Sequence, residues 1–516
     1  MRRPVVLVVI VTALVVALVG GVISGVLITA AETAAKPSAA PAVEATWPTP
    51  AAIEWGACTD KQLQVANAQC AMVTVPMDWS APRNGKTVRL AISRVQHSAT
   101  PYAGVMLVNP GGPGASGLDL STVGASVPDQ VGSRYDWVGF DPRGVGSSRP
   151  RLSCEPDYAN GPRPAYTPVT AAGTRAWLQR SAAYASACGA KNGELLDHMT
   201  TRDTANDMEY LRIALGVRRI SYYGYSYGTY LGEVYATLYP ASLERMVLDS
   251  TVDPTRVWYG ANLDQDLAFQ TTIDRWFSWL AQHDATYRLG STQQAVQASY
   301  DRLAAQLAAH PAGGRLGSAE LADTLLYAGY GQNVWAGLGA AFAAAARGSD
   351  GELGQYWLGL NETTDDNGYA AYLAVECTDA LWPTQWTTWA ADAQRIAGKA
   401  PFETWANTWF NAPCRTWPAK AGTPVDVSGT KVGGVLMIDE TLDAATPFTG
   451  SLVVRKLFPK ASLLAEPGGT THADSLNGNA CVDDTIAAYL KDGALPTRKA
   501  GDGPDATCAP LPVPTP

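Results

Sequence analysis

Charge is scarce in this 516-residue chain: only 16% of residues are Asp, Glu, Lys or Arg, and the acids prevail to leave a net charge of −9. With a pI near 5.2, such a chain is poorly suited to nucleic acid or to an anionic membrane surface. Histidine is scarcer still, with five in all. There is no HExxH, no CxxC and no cluster of Cys with His, so the sequence offers no metal site. The Gly-rich stretch NPGGPG (Asn109 to Gly114) is not followed by GK[ST], which argues against a phosphate-binding loop. Nothing else in the chain calls for a cofactor. No fixed-period repeat is present, so a solenoid is not indicated.

What is present begins at the amino terminus. Arg2 and Arg3 precede an uncharged run from Pro4 to Ala31, and the next charge is Glu32. A positive start followed by an apolar segment is an export signal. The run exceeds an ordinary signal-peptide core and is long enough to span a bilayer. Residues 1–31 therefore read as a cleaved signal peptide or an uncleaved anchor, and residues 32–50, rich in Ala and Pro, as a linker. Either outcome puts the protein outside the cytoplasm, secreted or held at the outer face of the cell membrane. Its only tie to a membrane would be that segment. The eight cysteines fall as neighbours along the chain: Cys58 and Cys70, Cys154 and Cys188, Cys377 and Cys414, Cys481 and Cys508. Four local disulfides are the simplest arrangement and suit an exported protein.

The chain is long enough for a large core with an inserted lobe. Short apolar runs end in Gly-rich turns at Gly104–Asn109, Tyr135–Phe140, Arg219–Gly224, Leu243–Asp249 and Gly433–Asp439. Their alternation with helical stretches argues for an α/β fold with a mostly parallel sheet, whose chemistry gathers at the strands' carboxyl ends. From 255 to 424 the pattern turns helical, for example over 263–283, 293–309, 318–328 and 370–379. That region holds eleven of the sixteen tryptophans, most of which read as core. The expected organisation is a core in two parts, 51–254 and 425–516, around a helical cap at 255–424.

The chemistry centres on Gly224-Tyr225-Ser226-Tyr227-Gly228. A GxSxG between a strand and a helix is the nucleophile elbow of the α/β-hydrolase fold, in which tight glycines let the turn lift the serine clear of the sheet. A serine hydroxyl needs a base, and in this fold the order is Ser, acid, His. His97 and His198 precede Ser226, and His283 and His310 fall in the helical region. His472, in EPGGTTHADS, is the one left beyond the last strand run. Asp443, in the turn LDAATP, is the candidate acid, with Thr446 placed to brace it; Asp439, Glu440 and Asp249 are rivals. The oxyanion hole needs two amides. Tyr227, directly after the serine, supplies one, and Gly112 in NPGGPG is the candidate for the other.

NPGGPGASG, FDPRGVGSS, GYSYGTYLG, LDAATP and the closing HADS, Cys481, YLKDGALP and Cys508 together resemble the secreted tripeptidyl aminopeptidases of actinobacteria, relatives of the proline iminopeptidases. The resemblance covers about 55–254 and 425–512, with five motifs in the family's order, and is weaker over the cap. It implies Ser226, Asp443 and His472 as a triad, and Gly112 and Tyr227 as the oxyanion hole. It also implies acidic cap residues that recognise a substrate's free amino terminus, and the segment AVECTD (Ala374 to Asp379) makes Glu376 the candidate. Two positions depart from the pattern: Asn109-Pro110 stands where proline iminopeptidases have His-Gly, and Thr471 stands where a Gly is common before the histidine. The implied activity is a serine exopeptidase releasing short peptides, tripeptides by the family's pattern, from free N-termini. An esterase or lactonase using the same triad is the alternative.

Overall fold

The structure, a computed structural model, describes residues 47–516 apart from Pro168, Glu362 and Thr363. The leader and most of the linker lie outside the described residues, and so do the expectations for them. Among the described residues, no helix is long and apolar enough to cross a membrane.

Ten strands make one sheet: β1 (Gly56–Ala57), β2 (Gln69–Pro76), β3 (Thr87–Val95), β4 (Gly104–Asn109), β5 (Tyr135–Phe140), β6 (Ile220–Tyr225), β7 (Leu243–Asp249), β8 (Val435–Glu440), β9 (Ala461–Glu466) and β10 (Ala506–Thr507). Their order is β1-β2-β3-β5-β4-β6-β7-β8-β9-β10. From β5 to β10 every pairing is parallel, while β1, β2 and β3 form an antiparallel margin joined to β5. The sheet is therefore mostly parallel, as the alternation of runs implied. β6, β8 and β9 are buried at every residue, which is why the central strands carry near-continuous apolar sequence.

β4, β5 and β7 coincide with their sequence runs, and β6 and β8 lie one or two residues further on. β2, β3 and β9 were not among the runs read from sequence. β2 buries only Val73, Val75 and Pro76, and β9 offers just two large apolar residues in ASLLAE. Parallel register levels the strand ends: Asn109 lies opposite Gly224, Tyr225 opposite Asp249, and Asp249 opposite Ile438.

Between β7 and β8 the chain runs through helices and adds nothing to the sheet. Its packing has two parts. Tyr259–Gln282, Gln293–Ala309, Ser318–Leu326, Trp335–Ala346 and Gly351–Leu360 close around a core of their own, including Trp276, Trp279, Trp335 and Trp357. The helix Asn367–Asp379 and the rings of Trp258, Trp382 and Trp389 instead join the hydrophobic cluster of the sheet.

Four disulfides join the sequence neighbours: Cys58–Cys70, Cys154–Cys188, Cys377–Cys414 and Cys481–Cys508. The third ties the helix Asn367–Asp379 to the turn at Ala412–Thr416 across 37 residues. Closing a loop of that size removes chain entropy from the unfolded state worth about 3–4 kcal/mol. Replacing Cys377 and Cys414 together by Ser should lower the apparent melting temperature by several degrees. Thiol titration of the unreduced, denatured wild-type protein should find no free cysteine.

Candidate active site

Ser226 joins β6 to the helix Tyr227–Leu238 with φ 56° and ψ −129°, a conformation that L-residues rarely adopt. Of the seventeen residues from Ile220 to Ala236, Ser226 alone is not buried. The glycines around it leave no room for side chains. A Cβ on Gly224 would stand 2.4 Å from the carbonyl oxygen of Gly228, and one on Gly228 would stand 2.6 Å from that of Asn109. The serine's own N–H donates to the carbonyl of Asp249 at 3.0 Å, which fixes the turn against the next strand.

The NPGGPG loop backs this turn. A Cβ on Gly111 would lie 2.9 Å from Ser226 Cβ and 2.9 Å from the Tyr227 nitrogen, so only glycine permits the approach. The Gly111 N–H is committed to Asn109 Oδ1 at 2.9 Å. The Gly112 and Tyr227 amides have no partner among the described residues. The Tyr227 amide directly follows the serine, and the Gly112 amide lies in the loop whose Gly111 touches it.

His472 lies in the loop after β9. Its Nδ1 is 2.7 Å from Asp443 Oδ2, and since an ionised carboxylate only accepts, the imidazole donates. Asp443 is buried in the turn after β8. Its Oδ1 accepts the N–H groups of Ala445 (2.8 Å) and Thr446 (3.0 Å), and its Oδ2 accepts the Thr446 hydroxyl (2.9 Å). Burial alone would lower the imidazole's pKa; the charge and hydrogen bond of Asp443, with a further contribution from Asp249, carry it above the ordinary value of 6.5. Ser226 and His472 stand on adjoining turns, but their side chains are not hydrogen-bonded to one another among the described residues; such contacts commonly tighten only once substrate is engaged.

The rivals for the acid are occupied elsewhere. Asp439 accepts from the Ser451 hydroxyl, Glu440 from the Thr471 N–H, and Asp249 from Ser475. Among the described residues Asp443 alone of the four bonds the imidazole.

Glu376 sits in the helix Asn367–Asp379, which presses on the oxyanion loop: a Cβ on Gly114 would meet the Gly368 carbonyl at 2.5 Å and the Tyr372 nitrogen at 3.1 Å. One turn beyond Tyr372, the Glu376 carboxylate is 4% exposed and accepts from Asn262 Nδ2 at 3.2 Å. Burial pushes its pKa up to about 8 against the hydrogen bonds of Tyr372 and Asn262. No Lys or Arg pairs with it among the described residues.

One contact had no signal in the sequence. The carbonyl of Tyr330, in the helical region, accepts the His472 N–H at 2.8 Å, and its ring meets the imidazole edge-on with centroids 5.8 Å apart. No group of His, Cys, Asp and Glu suited to a metal ion occurs among the described residues.

Residues 104–333 match the α/β hydrolase fold family, and residues 400–508 match the family described as TAP-like protein. A tripeptidyl aminopeptidase of Streptomyces coelicolor is 38% identical over 92% of this chain and 89% of its own length. The serine protease Hip1 of Mycobacterium tuberculosis is 29% identical over 87% of this chain and 90% of its own. A protein named carboxylesterase B from the same organism is 32% identical over 86% of this chain and 88% of its own. A serine at a strained elbow, a histidine held by a buried aspartate and a likeness spanning nine-tenths of the chain lead to one conclusion: this chain is a serine hydrolase of the α/β-hydrolase fold and belongs to the tripeptidyl aminopeptidase family.

Proposed function

We propose that this hydrolase is an exopeptidase, removing short units, three residues by the family's pattern, from free amino termini of peptides outside the cell. The leader at residues 1–31 would either be cleaved, releasing the enzyme, or hold it at the outer face of the membrane, with the linker between. The segment 255–424 closes the cleft as a cap.

Ser226 Oγ attacks the scissile carbonyl while His472 takes its proton through Nε2, the nitrogen not bonded to Asp443. The oxyanion that forms is received by the amides of Gly112 and Tyr227, which have no other partner. The proton on His472 passes to the leaving amine, the C–N bond breaks, and water hydrolyses the acyl-enzyme with His472 again as base. Asp443 holds the tautomer and stabilises the imidazolium.

The observation that carries the peptidase reading is Glu376, a buried carboxylate with no basic partner on a helix packed against the oxyanion loop. An isolated buried charge is costly, and the ammonium of a peptide's first residue supplies the missing counter-ion. An ester without an amine leaves that carboxyl unused.

An unstructured peptide with a free N-terminus should be shortened from that end in digests followed by mass spectrometry, and the same peptide acetylated should survive. Cleavage of simple acyl esters but of neither peptide would make the enzyme an esterase. Near neutral pH the free enzyme holds a proton on Glu376, whose pKa is about 8, and binding an ammonium expels it. Calorimetry of the inactive Ser226→Ala protein with a free-amine peptide should therefore show a heat that varies with buffer ionisation enthalpy. Adding Glu376→Gln should remove that dependence.

Ser226→Ala should abolish turnover in a folded protein, and Asp443→Asn should lower kcat on the order of 10⁴-fold. Because the base must be neutral and its pKa is raised, kcat/KM for an ester that carries no amine should fall off on the acid side at a pH above 6.5, and Asp443→Asn should move that fall to lower pH. Wild-type rates in Ser226→Ala would refute the nucleophile.

A further inference from the structure

Asp249, at the end of β7, is 2% exposed and has no part in the acyl transfer described above. It nonetheless touches both halves of the site. Its backbone carbonyl accepts the N–H of Ser226 at 3.0 Å. Its Oδ2 accepts the N–H of Ser475 at 3.0 Å and the Ser475 hydroxyl, and that hydroxyl is also 2.6 Å from the hydroxyl of Tyr223 on β6. The following residue, Ser250, has φ 62°, and its Oγ accepts the N–H of Ala473 at 2.8 Å. Two residues of one strand end thus grip the histidine loop immediately after His472 and again three residues on.

That loop has little regular structure to hold it. Ala473 and Leu476 both have positive φ, 58° and 64°, and such non-glycine conformations persist only where surrounding contacts enforce them. Removing the Asp249 carboxylate would leave a buried hydroxyl and a buried amide to find other partners, and the imidazole would drift with them.

We propose that Asp249 is a positioning residue for the reaction: it locks the His472 loop to the Ser226 turn through Ser475, and its negative charge favours the imidazolium that forms when His472 takes the serine's proton. Asp443 acts on the imidazole by a direct bond and Asp249 acts across space, from the end of β7, where its carbonyl also accepts the N–H of the nucleophile. The titratable and charged groups facing Asp249 are His472 and Asp474 of the loop, Tyr223 and Tyr225 of β6, Asp439 of β8 and Glu466 of β9. Those facing the imidazole are Asp443, Asp249 and the ring of Tyr330. A carboxylate serving only the fold would stabilise the protein without altering the imidazole's titration.

This inference rests on the triad as assigned, so Ser226→Ala is measured beside the two informative variants, Asp249→Asn and Ser475→Ala, in the whole protein. The substrates are a free-amine tripeptidyl p-nitroanilide and p-nitrophenyl acetate, the ester reporting on the triad whatever the peptide preference. Asp249→Asn should lower kcat by about tenfold to a hundredfold with KM within about twofold. With p-nitrophenyl acetate, which brings no ammonium to Glu376, it should also move the acid-side fall of kcat/KM to lower pH, because a charge favouring the imidazolium is gone. Ser475→Ala leaves the carboxyl group in place but removes the hydroxyl through which it grips the loop, so kcat should fall. An Asp249→Asn enzyme with wild-type kcat, or with the acid-side fall unmoved, overturns the proposal. If Asp249→Asn shows no cooperative melting, Ser475→Ala decides: a lowered kcat at unchanged KM supports the proposal, and a wild-type kcat overturns it. Full turnover by Ser226→Ala would instead bring down the triad itself.

Discussion

Everything at this site hangs on one backbone turn. Ser226 occupies a conformation that costs a residue with a side chain on the order of 1–3 kcal/mol, and the cost is met by surroundings that leave the chain no alternative. Gly224 and Gly228 close on each other, Gly228 closes on the Asn109 carbonyl, and Gly111 closes on Ser226 itself. The N–H of Ser226 is taken by the end of β7. Three neighbouring parallel strands, β4, β6 and β7, thus meet at the serine, and their level register lets them. The strain has a use: it brings Ser226 out of a stretch that is otherwise buried throughout, with the unpartnered amide of Tyr227 directly after it.

A second constraint is electrostatic. Several buried acids away from the site are neutralised by arginine. Arg143 binds Asp207 with both side chains fully buried, Arg455 binds Asp505, and Arg163 binds Glu320. Around the site four acids lack such pairing. Asp249, Glu376, Asp439 and Glu440 are buried and have no Lys or Arg partner among the described residues. Burial raises all four pKa values, Asp249 to about 6, Glu376 to about 8 and Glu440 to about 9. Acids left without bases favour positive charge nearby. Two such charges belong to the proposed reaction, the imidazolium of His472 and the ammonium of a peptide substrate.

The sequence disclosed the parts that have local signatures. GxSxG needs only five adjacent residues, elimination among five histidines pointed to His472, and Asp443 with Thr446 forms a turn within four residues. Disulfides between sequence neighbours were legible for the same reason. What escaped is held by distant partners. Ser475 finds Asp249 across 226 positions, and Tyr330 reaches His472 from a segment whose sequence reads only as helix. FDPRGVGSS shows the opposite case, a conspicuous motif committed to architecture. Asp141 gathers the Ser116 hydroxyl and the N–H groups of Gly117 and Ser147, while Arg143 binds Asp207 and the carbonyls of Pro76, Met77 and His198. Of the strands missed in sequence, β2 and β3 lie at the margin of the sheet, where partial exposure blurs the apolar run, and β9 is buried throughout but carries only two large apolar residues.

The helical segment is more than a cover. His472 donates its own N–H to Tyr330 and leans its ring against that side chain, while Asn367–Asp379 shares the sheet's hydrophobic cluster and abuts Gly114. A swing of the whole segment away from the sheet would release the base, open a buried apolar interface and draw the Glu376 helix off the oxyanion loop. Each is a loss in the machinery that a substrate needs on arrival. Packed interfaces of this kind resist continuous deformation, so the inserted helices act as one wall of a fixed site. The segment that holds Glu376 and Tyr330 is thereby joined to the chemistry of the sheet through contacts on both His472 and Gly114.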